Sequence, residues 1–443
     1  MTRRMVCATL TAVGVFLLGS GVARARPEGV RLSVVEPAHT SMGVAWNTVD
    51  GAPEAVVEYR PVPPRGLGGD GAAARPWQRT VGVTRPLGGP LGTLSEVVLT
   101  GLAPGATYVY RAGGPRGGFS TEYRFRTAPA PHPVCGHVRL AYAADSRAEG
   151  WQKGFGASAR WPLLAAQALT RGAALILHGG DIVHDGRKPV QWAHHVRTSE
   201  LVAARLPIMY ALGNHDDGPG EGERANYNRL LLLPRAARAL GGHGVEDYYG
   251  FRYGNAVIVA LSTETFRGGA RPFAEQARWL DRFLARNPAR WRVVFMHRPI
   301  YTHRIWPINH PPNEAGQNAA LVPILNKHRV DLVLAGHNHW YERFAASRCA
   351  NGASPSPCPV APGERGTVYV TSAGGGAFPV PFPGKTSPAR PAAATGFHLV
   401  LVELEPTRLV LRALAEDGRE LDRHEIGKRD PEGQSCDTHP PPP

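Results

Sequence analysis

Five short segments of this chain carry residues able to bind a metal, and each follows an apolar run. Asp145 follows Val138–Ala144, and Asp181 follows Ala174–Leu177 in a Gly180-Asp181 pair. Asn214 follows Ile208–Leu212 in Gly213-Asn214-His215-Asp216. His297 ends the run Trp291–Met296, and Gly336-His337-Asn338-His339 ends Val330–Ala335. Side chains at the carboxyl ends of neighbouring strands converge on one crevice. Two carboxylates, one amide and three imidazoles are enough donors for two divalent cations that share one carboxylate. Hard oxygen plus imidazole suits iron, manganese or zinc rather than a thiolate centre. Singly, an Asp after a strand or a Gly-Asn pair is ordinary turn chemistry. All five together, in this order and each at a strand end, are more than turn chemistry requires.

Two cations about 3.5–4 Å apart can activate a water and neutralise the charge on a phosphoryl group. Such chemistry needs no nucleophilic Ser or Cys. The chain carries no G-x-S-x-G elbow and no phosphate-cradling G-x-x-x-x-G-K-[ST] loop. Gly374-Gly375-Gly376 lacks a nucleotide fingerprint and reads as a loop at the pocket edge.

These residues have to be positioned by a scaffold, and its rhythm changes once along the chain. From Val138 onward, short apolar runs fit buried strands, with amphipathic patterns such as Phe273–Leu284 between them. This predicts an α/β domain over 134–428, with sheets covered by helices and closing strands from Phe397 to Ile426. Residues 28–128 instead read as all-β, from Met42–Trp46, Ala55–Tyr59 and Glu96–Leu99 separated by turn residues. Thr127–Pro133 is the proline-rich linker, and residues 429–443 form a proline-rich tail. The fold class is therefore an α+β two-domain chain.

At the level of motifs the chain resembles the calcineurin-like metallophosphoesterases, and within them the purple acid phosphatases. The carriers are Gly336-His337-Asn338-His339-Trp340-Tyr341-Glu342-Arg343 and Met296-His297-Arg298-Pro299-Ile300-Tyr301. The stretch Leu99–Arg111 resembles the turn-and-strand signature of a fibronectin type III sandwich, a family in which the Leu and Tyr of this signature anchor the inter-sheet core. The resemblance implies that Asp181 bridges two metals, that Asn214, His297 and His337 complete one site, and that Asp145 and His339 hold the other. It implies that His215 contacts phosphate and protonates the leaving group, with Asp216 orienting it. His303 lies where relatives have pocket histidines, or is a surface-loop histidine. The chain departs from its relatives at Asp145-Ser146-Arg147, where a metal-binding His is usual, and at His184, where purple enzymes carry a ligand Tyr. The expectation is that His184 supplies the missing ligand and that Arg147 faces the substrate phosphate. The alternative is a loop histidine with water filling the coordination.

Composition narrows the class further. The 443 residues are 43% hydrophobic and 19% charged, enough to bury a core. Net charge is +14, yet only five of the 50 basic residues are lysine, and the arginines are scattered rather than run together. That excludes a dedicated nucleic-acid binder while leaving a field that attracts anionic substrates. Arg3 and Arg4, the uncharged stretch Met5–Ala23 and Ala23-Arg24-Ala25 read as a signal peptide over 1–25, with an uncleaved anchor as the alternative. Thr2-Arg3-Arg4-Met5-Val6 also resembles a twin-arginine signal. No later apolar stretch reaches the roughly 20 residues a membrane span needs. An exported chain is expected to oxidise its cysteines, with Cys349 pairing locally to Cys358 and Cys135 to Cys436; free buried thiols are the alternative. The expected activity is phosphomonoester hydrolysis. A phosphodiesterase on nucleotides or lipid head groups is the second choice, and a metal-stabilised secreted binding or adhesion protein is the reading from another class.

Overall fold

Alternating runs in the first hundred residues form strands because every second side chain points to one face. In the computed structural model they are β1 (Glu28–Ser33), β2 (Met42–Thr48), β3 (Val56–Pro61), β4 (Gln78–Val81) and β5 (Val83–Pro86). They continue as β6 (Thr93–Leu99), β7 (Thr107–Gly114), β8 (Gly118–Phe119) and β9 (Tyr123–Arg126). One antiparallel sheet has the order β1-β2-β6-β5, and the other has β4-β3-β7-β8 with β9 on β7. Val30, Val44 and Trp46 from the first sheet pack with Val57, Tyr110 and Phe125 from the second. Leu102 and Tyr108 join that core, and the Tyr108 hydroxyl accepts a hydrogen bond from the Ala103 amide at 2.9 Å.

The structure describes residues 26–429 and 436, apart from 51–52, 64–74, 217–223, 236–246, 265–269 and 304–309 and positions 315, 351, 353, 362 and 383. The expected signal peptide and most of the proline-rich tail lie outside the described residues.

The second part of the chain alternates strands and helices. Its strands begin with β10 (Val138–Ala143), β11 (Leu175–His178), β12 (Ile208–Tyr210), β13 (Tyr249–Tyr253), β14 (Ala256–Ala260) and β15 (Trp291–Met296). They continue through β16 (Leu332–Ala335), β17 (Tyr341–Arg343), β18 (Val368–Ser372) and β19 (Ala392–Ala394). The last three are β20 (His398–Leu404), β21 (Arg408–Ala415) and β22 (Glu420–Gly427). The helices are α1 (Arg160–Thr170), α2 (Pro189–Ala203), α3 (Asn226–Leu230), α4 (Ala270–Arg286) and α5 (Asn318–Lys327).

Two mixed sheets result, ordered β12-β11-β10-β20-β21-β22 and β13-β14-β15-β16-β18-β17-β19. Within each sheet the strands that carry the candidate ligands are parallel to one another: β10, β11 and β12 in the first sheet, β15 and β16 in the second. Parallel pairing needs crossovers, and the intervening helices provide them. Central parallel strands are buried on both faces, which is why their sequences are apolar throughout rather than alternating. Ile258, Phe295 and Leu334 share a core with Leu140, Leu177 and Val402 of the other sheet. Their neighbours Val259, Val294 and Val333 face the opposite way and pack with Leu280 and Leu284 of α4 and Leu321 of α5.

The sandwich is docked on α2 and α3 by polar contacts. The Glu200 carboxylate accepts from the Gly29 amide and the Tyr123 hydroxyl, both at 2.8 Å. Tyr110 donates to the Ala204 carbonyl at 2.8 Å, and the buried Arg31 guanidinium donates to the Leu230 carbonyl at 2.7 Å. Disulfides join Cys135 to Cys436 and Cys349 to Cys358. No helix among the described residues is long and apolar enough to cross a membrane.

Candidate metal centre

The loops at the ends of β10, β11, β12, β15 and β16 meet in one cleft. Three of the candidate donor residues hold left-handed backbone: Asp145 (φ 61°), Asp181 (φ 53°) and His337 (φ 72°). Non-glycine residues adopt that region at a cost, and such strain collects at functional sites. Amides in the loops fix the carboxylates. The His337 amide donates to Asp145 Oδ2 and the His215 amide to Asp181 Oδ1, each at 2.9 Å. The glycines between the motifs are there because the loops touch. A Cβ on Gly213 would lie 2.2 Å from the Asp181 nitrogen, and one on Gly336 would lie 2.6 Å from Asp145 Oδ2.

The donors fall into two groups around Asp181. In one, His297 Nε2 lies 3.3 Å from Asp181 Oδ1, 2.9 Å from Asn214 Oδ1 and 3.0 Å from His337 Nδ1. Spacings of about 3 Å between donor atoms are those found where several ligands share one cation at about 2.0–2.2 Å. His297 Nδ1 lies 2.9 Å from the Gly179 carbonyl, which places the ring proton there and leaves Nε2 a lone pair. In the other group, His339 Nε2 is 3.4 Å from Asp145 Oδ1. That oxygen is buried and makes no hydrogen bond among the described residues. His339 Nδ1 lies 3.0 Å from the Phe378 carbonyl, which aims Nε2 into the cleft. The unpartnered carboxylate oxygen and the oxygen-plus-imidazole donor set fit divalent or trivalent cations.

The electrostatics favour cations too. Burial alone would raise the Asp181 carboxyl, but its neighbours His297, His215 and Arg147 outweigh it and hold it well below the usual range. Burial pushes His337 down to about 3, so its ring is neutral and able to ligate.

Arg147 lies across the second group. Its guanidinium is 3.2 Å from Asp181 Oδ2, 3.3 Å from His339 Nε2 and 2.6 Å from Glu149 Oε1. It lines the cleft, as its expected role requires, but it is held by these side chains. His184 stands beside His215, and its buried Nδ1 has no hydrogen-bond partner among the described residues. Its ring packs on His215 with centroids 5.3 Å apart, and its carbonyl accepts from His215 Nδ1 at 2.7 Å. That contact turns His215 Nε2 toward Asp181 Oδ2, at 3.9 Å.

Two expectations are corrected. Asp216 does not orient His215. Its carboxylate accepts from the Ile182, Val183 and Gly213 amides at 2.6, 3.2 and 2.9 Å. Buried amides at a strand end need acceptors, and Asp216 supplies them; the orienting group for His215 is a carbonyl. His303 does not line the metal cleft. It borders a neighbouring cavity with Tyr301 and Arg390, its ring 5.4 Å from Phe382. The histidine that lines the cleft from this region is His310, and Glu149 lines it as well. Neither residue carries a strand-end signature: Glu149 sits two positions past Arg147, and His310 lies in a proline-rich stretch.

Two family models match the chain: "Purple acid Phosphatase, N-terminal domain" over residues 27–127 and "Calcineurin-like phosphoesterase" over residues 154–341. The chain thus carries a calcineurin-like phosphoesterase domain behind a purple acid phosphatase N-terminal domain. Asp145 and Arg147 fall between the two matched stretches. The chain is 28% identical over 271 residues to "Probable purple acid phosphatase 20" of Arabidopsis thaliana, which is 57% of this chain and 56% of that protein. It is 29% identical over 343 residues to "Acid phosphatase type 7" of Homo sapiens, covering 73% and 72%. The chain thus spans little more than half the length of the plant relative. Its fold is similar to that of the purple acid phosphatase PPD1 from yellow lupin (Lupinus luteus) seeds, with a TM-score of 0.73 at 21% identity, covering 92% of this chain and 75% of that one. The likeness to the structure of PhoD, with a TM-score of 0.63 at 12% identity, covers 92% and 93% and is likewise one of fold.

Proposed function

We propose that this phosphoesterase is an exported, metal-dependent hydrolase of phosphoric monoesters that works with two cations. The observation that carries the reading is the convergence of six donor side chains from five separate loops around Asp181. Asp145, His339 and Asp181 would hold one cation, and Asn214, His297 and His337 would share Asp181 in holding the other. Bound cations supply a Lewis acid and a water of lowered pKa.

The chain's own residues account for the rest. His215, fixed through Nδ1, presents Nε2 to the cleft and donates a proton to the leaving oxygen. Arg147, steadied by Glu149, offers a planar fork of donors to a phosphate. The cleft is about 360 Å³ and its rim carries the exposed Phe378, so an apolar alcohol has a surface to lie on. The names of the relatives support a phosphatase, and two disulfides support an oxidising destination.

The test compares p-nitrophenyl phosphate with bis-p-nitrophenyl phosphate on mature protein whose metal content is measured in the same sample. Faster monoester turnover that disappears on chelation and returns with added metal is expected. Equal or faster diester turnover would overturn the monoesterase assignment, and metal-independent activity would overturn the mechanism.

A further inference from the structure

His337 faces the proposed cation with Nδ1, and what stands behind its other nitrogen decides whether Nδ1 is free to ligate. Two groups of opposite character meet Nε2: a Glu314 oxygen at 3.0 Å and an Arg298 nitrogen at 2.9 Å. A neutral imidazole carries one proton. With that proton on Nε2, the ring donates to Glu314 and presents a lone pair at Nδ1. With it on Nδ1, Nε2 accepts from Arg298 and the ring cannot ligate. The two neighbours therefore favour opposite tautomers.

The surrounding contacts favour Glu314. Arg298 is buried and engaged elsewhere: its Nε and Nη2 donate to the buried Glu264 carboxylate at 2.8 and 3.2 Å, and its Nη1 pairs with Glu314 itself. The other Glu314 oxygen lies 2.9 Å from His310 Nδ1, on the cleft wall. We infer that Glu314 is a positioning residue: held by Arg298, its carboxylate fixes His337 as the Nε2–H tautomer and so readies Nδ1 for the cation. This rests on the reading of His337 as a metal ligand. A carboxylate behind a ligating histidine fixes the ring and raises its basicity, and its loss costs 10–100-fold in metal affinity.

The test uses the full mature chain, stripped of metal and titrated with Zn²⁺, as wild type, Glu314→Gln and Glu314→Asp. The His337 tautomer is read by NMR on histidine-labelled, metal-free protein. The wild type should show Nε2–H and bind two zinc ions. Glu314→Gln should weaken one of the two binding steps by about 10–100-fold and lose the Nε2–H preference, and the Asp variant should recover part of both. Circular dichroism and thermal midpoints of the metal-free proteins show whether each variant is folded, and the Asp variant keeps the carboxylate if Gln is not tolerated. Unchanged zinc affinity and an unchanged tautomer in a folded Glu314→Gln would overturn the inference. A wild type that binds no zinc would overturn the functional reading instead, while the tautomer measurement would still decide the role of Glu314.

Discussion

Asp181 turns its two oxygens to different sides of the cleft, Oδ1 to His297 and Oδ2 to Arg147. Replacing it should therefore disturb both donor groups at once. Because its backbone is left-handed, Asn is a cleaner replacement than Ala, since Asn tolerates that region. Asp181→Asn should lose metal and hydrolysis while keeping its far-UV circular dichroism; full activity in that variant would end the two-cation reading. His215→Ala should keep its metals and slow turnover by roughly 10²–10⁴-fold, as for a lost general acid. Aryl esters with acidic leaving groups should suffer least, and equal losses across leaving groups would refute the proton-donor role. Position 184 is His rather than Tyr, so iron-loaded protein is expected to lack a tyrosinate charge-transfer band in its visible spectrum. The donor residues were legible because each closes an apolar run. Glu149, His310 and Glu314 were not, because nothing local marks a loop residue brought in by the path of the chain. Asp216 misled for a related reason: adjacency to His215 suggested a pair, but the turn sends its carboxylate to backbone amides instead.

Strands and helices were the easier part to read. The run Trp291–Met296 matches β15 end to end, and the Phe273–Leu284 pattern lies inside α4 (Ala270–Arg286). What the runs do not contain is which sheet each strand joins, since a strand buried on both faces shows no polar side. Pairing is decided by the long connections between strands. The loops beyond these strands also impose requirements of their own. Gly213→Ala and Gly336→Ala would each push a methyl group into atoms of a facing loop, backbone in the first case and the Asp145 carboxylate in the second. Each should lower both the thermal midpoint and the metal content, and Gly213→Ala, whose obstacle cannot rotate away, should be the worse. A Gly213→Ala protein with wild-type metal content would show that these loops separate without penalty.

Across the whole molecule, several histidines are buried where no proposed cation explains them. Burial lowers His398 to about 4 and His178 to about 3, against 6.5 for a free imidazole. Between pH 6.5 and these values the unfolded chain takes up protons that the folded chain refuses. Stability therefore falls as pH drops through that window, by about 1.4 kcal/mol per pH unit for each such histidine. A hydrolase working in acid would do so with reduced stability. Thermal midpoints measured from pH 7 to pH 4 should decline, and His398→Gln should flatten the slope; a midpoint that rises toward pH 4 would contradict the argument. The Cys135–Cys436 bond spans a sequence separation of 301 residues, so nearly the whole phosphoesterase domain is a covalent ring. A ring cut once is still one molecule. A protease that nicks any single peptide bond between these cysteines leaves both fragments attached, and non-reducing electrophoresis would show one band at full mass. Two bands would separate only after thiol treatment, so a protein exposed to extracellular proteases can be clipped without shedding either half of its cleft.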